Sequence, residues 1–187
     1  MPTEILVEKT KLKKPPLKVH HLGDRVLRQA AKRVAKVDDS IRDLIRQMLQ
    51  TMYSADGIGL AAPQVAVNKQ VLVVDIDPEE ASTEPLILIN PTIKASGGEV
   101  IAFEEGCLSI PGVFLDVKRP EAIKLAYRDE MGRPQTLMAD GMISRVVQHE
   151  IDHLNGVLFV DRVENKLALN QELSKQGFVA SAVRSLV

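Results

Sequence analysis

Residues 146–156, VVQHEIDHLNG, carry two histidines four positions apart, His149 and His153, with Glu150 between them. On an α-helix that spacing sets the two imidazoles about 40° apart and one turn above each other, so both can reach one metal ion. Glu150 falls at the flank of the same face, where a carboxylate can accept a proton from metal-activated water. This is the H-E-x-x-H arrangement of metal hydrolases. Three fixed positions also recur by chance, on helices whose histidines are merely solvated. Two histidines are one short of the three protein ligands that a catalytic metal usually has.

The nearest downstream candidates for a third ligand are Asp161 and Glu164, but GVLFVDRVE reads as a strand or core segment leaving the helix. His20 and His21 sit near the N-terminal arm. The single cysteine, Cys107, lies in EEGCLSIPG. Gly106 lets the backbone turn tightly or approach closely, and Pro111-Gly112 reads as a turn. A lone cysteine is ordinarily a small buried hydrophobe. Set beside the histidine helix, its thiolate completes a Cys107–His149–His153 set with a fourth position open for water. Spacing alone suggests zinc.

A further stretch, GIGLAAPQ at 57–64, matches G-x-G-x-x-A, with Asp77 downstream. A dinucleotide site needs a strand before that pattern and a helix after it. Here a helix precedes it, and Pro63 opposes smooth continuation into another. A run of small residues instead suits backbone lying close to a ligand. Gln64, otherwise a surface amide at a turn, then has an amide to offer a substrate oxygen.

The elements that must position these groups can be read from periodicity. Ile41, Leu44, Ile45, Met48 and Met52 form one apolar helical stripe, with Asp38, Asp39 and Ser40 as N-cap candidates and Gly57 as a stop. A short helical turn is expected around 26–34. QVLVVDI, LILIN, EAIKLAYRD and QTLMA read as strands, the last two joined by a turn at DEMGRP. A second long helix runs from about Gly141 to Leu154, capped by Asp140 and ended by NG at 155–156. On it Met142 and Val146 share the histidine side, while Ile143, Val147, Ile151 and Leu154 form an apolar face nearly opposite. Such a helix is central, with core behind it and a site in front. Residues 163–187 form a tail with a weak helical stripe at Leu167 and Leu173.

The chain has 187 residues, 45% hydrophobic and 26% charged, with a net charge of −1. That is the range of a soluble globular protein, with no overall pull toward nucleic acid or an anionic membrane. No apolar run is long enough to span a bilayer. The N-terminal 16 residues lack an apolar secretory core and read as an extended arm. One cysteine forms no internal disulfide. The pattern is α+β, one domain over 1–187: small antiparallel sheets around a central metal-binding helix, an N-terminal helix and a variable C-terminal tail.

Three segments together, GIGLAAPQ (57–64), EGCLS (105–109) and QHEIDH (148–153), closely resemble the motifs of the peptide deformylase family, in its order and at comparable spacing. The resemblance extends from about residue 17 to 161. It implies hydrolysis of the N-formyl group from the N-terminal formylmethionine of newly synthesised polypeptides, releasing formate. It implies one divalent metal on Cys107, His149 and His153, typically Fe²⁺, with Ni²⁺, Co²⁺ or Zn²⁺ able to substitute. It makes Glu150 the proton carrier, and gives the oxyanion to the Gln64 amide and the Leu108 N–H. Ile58, Gly59, Phe103, Gly106, Met142 and Val146 bind substrate by this resemblance, and Glu105 supports the ligands with Arg119 as partner. It further implies N-formylmethionyl nascent peptides as substrates, transient ribosome contact, no DNA or membrane partner, a monomer, and a bacterial cytoplasmic location. Phe114 stands where some members have a peptide-binding arginine, so that contact should differ. Pro63 and RPEAI are similar to the plant-organelle and cyanobacterial branch. The motifs also weigh against two other readings: a zincin-like endopeptidase has no use for Cys107, and a non-catalytic metal or ribosome-binding module has none for Glu150.

Overall fold

The N-terminal stripe forms α1, Asp39–Ser54, in a computed structural model that describes residues 5 and 7–187. Asp38 caps it by accepting the Ile41 N–H at 3.1 Å. Ile41, Ile45, Met48 and Met52 are buried, as their spacing predicts, against Leu60, Val71, Val73 and Ile89. The helix stops at Ser54, and the Gly57 N–H returns to the Met52 carbonyl at 2.9 Å. The expected earlier helical turn is shorter, a 3-10 turn at Arg25–Arg28 capped by Asp24. The first part of the arm, residues 1–4 and 6, lies outside the described residues. From residue 7 to 16 there is no helix or strand, and Lys9 ties this stretch down through an ion pair with Asp75 at 2.7 Å.

Five strands follow: β1 Gly59–Ala61, β2 Val71–Val74, β3 Leu86–Cys107, β4 Ile110–Arg128 and β5 Pro134–Ala139. They join in chain order into a single antiparallel sheet rather than several small ones. The α+β class stands. What sequence patterning did not reach is the length of β3 and β4, because most of β3 beyond Pro91 is exposed and carries no burial alternation. Register shifts between Ile89/Thr92, Ile93/Ala95, Gly97/Val100 and Glu105/Cys107 bend this long hairpin. The turn expected at Pro111-Gly112 lies earlier. Cys107 pairs with Ile110, so Leu108 and Ser109 make the hairpin tip.

The second helix, α2, spans Gly141–Leu154, matching its expected limits. Val147 and Leu154 pack on the sheet with Leu72, Leu88, Ile123 and Leu125. Ile143, expected on that core face, is partly open at the helix start, as is Met142. The segment after α2 is a buried 3-10 turn, Phe159–Arg162, rather than a strand. The tail then forms α3, Lys166–Lys175, whose buried pair is Leu169 and Leu173; Leu167 is 70% exposed. No helix among the described residues is long and apolar enough to cross a membrane.

Candidate metal centre and catalytic pocket

The hairpin tip at the end of β3 delivers Cys107 to the face of α2 that carries the histidines. One donor atom each from Cys107, His149 and His153 lies within 4.8 Å of the others, and the Cys107 Sγ is 3.3 Å from His153 Nε2. A thiolate and two imidazoles this close suit one divalent cation with room for a further ligand. Asp161, the rival ligand, is elsewhere: Arg28 grips both its oxygens, at 2.5 and 3.0 Å, and it accepts the Leu158 and Arg184 N–H groups.

His149 donates through Nδ1 to Glu105 Oε2 at 2.9 Å, which leaves Nε2 as the ring nitrogen on offer to a metal beside Cys107. Glu105 is in turn held by Arg119, whose Nε and Nη2 reach its two oxygens at 2.5 and 3.0 Å. Arg119 also donates to Asp152 at 2.8 Å, and Arg162 holds Asp152 from the other side. Burial works to raise the Glu105 pKa, but the hydrogen bonds from His149 and Arg119 outweigh it and bring the carboxyl down to about 2. Burial likewise works against a charged His149, yet Cys107 and Glu105 hold its pKa well above the usual value. Surroundings that favour a proton there also favour a metal cation. His153 goes the other way: burial and the charge of His149 keep it neutral, the form that ligates.

Glu150 is 4% exposed, and its Oε2 is buried without a hydrogen-bond partner. Burial pushes its pKa up to about 7, where a carboxylate can both take and return a proton near neutral pH. A buried, unpartnered carboxylate oxygen beside two imidazoles is costly to leave idle, which fits a group that meets water or substrate. Gly59 in β1 lies directly against it. A Cβ at residue 59 would collide with Glu150 Oε1 and come within 2.9 Å of Val146 Cγ1.

Gln64 is buried in the 3-10 turn Ala62–Val65. Its Oε1 accepts the Ala61 N–H at 2.8 Å, which turns Nε2 toward Cys107 Sγ at 3.5 Å and Ser109 Oγ at 3.1 Å. Of the residues the sequence assigns to metal, catalysis or substrate, all but the fully enclosed His153 line one cavity of about 670 Å³; Glu105 lines it too, and Arg119 is buried behind. Phe103, Met142 and Ile58 form its partly exposed apolar wall, with Val146 beneath. Phe114 is 56% exposed at the rim, and its ring lies against Gly106, where a Cβ would come within 2.5 Å of it.

Three contributors were not singled out by sequence. Ser109 is fully buried and accepts from Gln64. Asp152 completes the Arg119 network. Arg145 donates to Glu105 Oε1 at 2.9 Å. Only Arg145 left a signal, since it lies four residues before His149 and so on the same helix face.

A family profile described as polypeptide deformylase matches residues 16–168. Peptide deformylase 1 of Nostoc sp. is 65% identical over 184 residues, 98% of each chain. The peptide deformylase of Thermosynechococcus vestitus is 63% identical over 186 residues, 100% of this chain and 99% of the other. Among solved structures, a peptide deformylase from Synechococcus elongatus in complex with actinonin superposes with a TM-score of 0.95 at 63% identity, covering 96% of this chain and 98% of that one.

Proposed function

The chain belongs to the polypeptide deformylase family, and from that premise we propose how its residues share the work. The activity is metal-dependent hydrolysis of the N-formyl group from the N-terminal formylmethionine of newly synthesised polypeptides, releasing formate. Cys107, His149 and His153 hold one divalent ion; when bound, it supplies Lewis acidity that lowers the pKa of water and polarises the formyl carbonyl. Glu150 accepts the water proton and returns it to the departing amine. Gln64 Nε2 and the Leu108 backbone N–H donate to the developing oxyanion. The methionine side chain enters between Ile58, Phe103, Met142 and Val146, Ile58 and Gly106 offer backbone groups to the peptide, and Gly59 lies at the same subsite.

The observation that carries this assignment is the meeting of three donor atoms within 4.8 Å beside a buried, unpartnered carboxylate oxygen of Glu150. The resident ion is Fe²⁺, with Ni²⁺, Co²⁺ or Zn²⁺ acceptable to the same thiolate and imidazoles. The residues 1–187 act as one catalytic domain with an N-terminal arm and a C-terminal tail. The enzyme works as a monomer in the bacterial cytoplasm, in transient contact with the ribosome. Anaerobic purification, metal analysis and formate release from formyl-Met-Ala-Ser test the metal and the activity together. One equivalent of iron with formate release is the expected result. Metal bound without formate release would overturn the catalytic roles.

A further inference from the structure

The carboxylate of Glu105 has more cationic partners than its charge requires. Arg119 already chelates both of its oxygens, and His149 donates to Oε2. A second guanidinium, from Arg145, nevertheless reaches Oε1 at 2.9 Å. Together Glu105 and Asp152 face Arg119, Arg145 and Arg162, two carboxylates against three guanidiniums. Neutralising Glu105 therefore does not account for a buried Arg145, whose desolvation is expensive.

The remaining contacts of Arg145 point elsewhere. Its Nη1 also donates to the Val117 carbonyl at 2.9 Å, and Nη2 to the Ile101 carbonyl at 2.6 Å. These carbonyls belong to the two arms of the bent hairpin, where Phe103 pairs with Val117. The guanidinium carbon lies 5.6 Å from the centre of the Phe103 ring, within cation–π range. One rigid planar group thus joins the aromatic wall of the pocket to the carboxylate that orients a metal ligand, one helical turn before His149.

We infer that Arg145 is a positioning residue that couples the pocket for the substrate's first side chain to the metal cage. Occupation of the pocket presses on Phe103 and the 101–103 strand; Arg145 transmits that position to Glu105, and Glu105 fixes the His149 ring. This rests on the metal and pocket assignments proposed above. A lysine has one ammonium and no planar face, so it can hold Glu105 but cannot also stack on Phe103 and bridge both carbonyls.

The test uses the Co²⁺-loaded enzyme and two substrates, formyl-Met-Ala-Ser and formyl-Ala-Ala-Ser. Arg145→Met should release Co²⁺ about tenfold faster or more, the usual cost of losing support behind a ligand. It should also lower the kcat/KM preference for methionine over alanine. Arg145→Lys should restore Co²⁺ retention without restoring the preference. Phe103→Leu should lower the preference and also speed Co²⁺ release while Arg145 is present, but should leave Co²⁺ release unchanged in the Arg145→Lys background, where the link to the ring is already broken. If Arg145→Met changes only one of the two readouts, or neither, the coupling is wrong. If wild-type protein takes up Co²⁺ with no thiolate-to-cobalt absorption band, the ligand assignment itself fails, whatever Arg145 does; circular dichroism identifies a variant that has not folded, and Arg145→Lys then decides alone, with lost selectivity supporting the coupling and retained selectivity overturning it.

Discussion

Gly59 and Glu150 face each other so closely that the glycine is the space the carboxylate occupies: any Cβ at residue 59 would strike Glu150 Oε1. A three-residue strand, β1, therefore sets the position of a carboxylate that belongs to α2 and is proposed above as the proton carrier. Its register is fixed by pairing of Gly59, Leu60 and Ala61 with Val74, Val73 and Leu72 of β2.

Gly59→Ala should accordingly displace Glu150 while leaving the three metal donors in place. The expected result is full metal content with kcat reduced by about 100-fold, the scale of an ångström-level misplacement of a reacting group. Metal analysis beside steady-state kinetics checks this. Unchanged kcat would mean that Glu150 tolerates another position.

Glu150→Gln should retain metal and lower formate release by at least about 100-fold, because it removes the proposed proton carrier. The same change should stabilise the metal-free protein, with a defined pH dependence. Burial raises the Glu150 pKa from 4.5 to about 7, so the folded state resists its ionisation. Below about 4.5 both states are protonated and the variant gains nothing. Between 4.5 and 7 the wild type progressively loses stability, and above 7 the gap reaches about 3 kcal/mol in favour of the variant. Urea unfolding of both metal-free proteins from pH 4.5 to 8 measures it; a gap that stays constant with pH would contradict the burial effect.

Glu105→Gln should act in the opposite direction. The folded-state pKa of Glu105 is lowered from 4.5 to about 2, so its charge stabilises the fold above pH 4.5, and that contribution fades as pH falls toward 2. At neutral pH the variant should lose about 3 to 5 kcal/mol, since Arg119 and Arg145 lose a buried partner. The deficit should narrow in acid, as seen by denaturant unfolding at pH 7, 4 and 3. Metal affinity at neutral pH should also drop about 10- to 100-fold, because the His149 ring is no longer oriented.

The sequence by itself determined the helix of His149 and His153 and the stripe that buries α1. Both follow from periodicity, which a single chain displays in full. The motif resemblance supplied twelve candidate residues for metal, catalysis and substrate, and all of them except His153 line one cavity. Tertiary structure alone decided how these pieces meet. The long β3–β4 hairpin was not legible, because exposed strand residues carry no alternation, and its tip is what brings Cys107 to α2 across 46 residues of sequence. Arg145 and Asp152 were visible as residues but not as partners of one carboxylate network, since an ion pair between distant segments leaves no local pattern. The pKa values of Glu105 and Glu150 diverge for the same reason: two glutamates alike in sequence become an acid at about 2 and one at about 7 only when folding gives the first cationic partners and buries the second without a hydrogen bond to one oxygen.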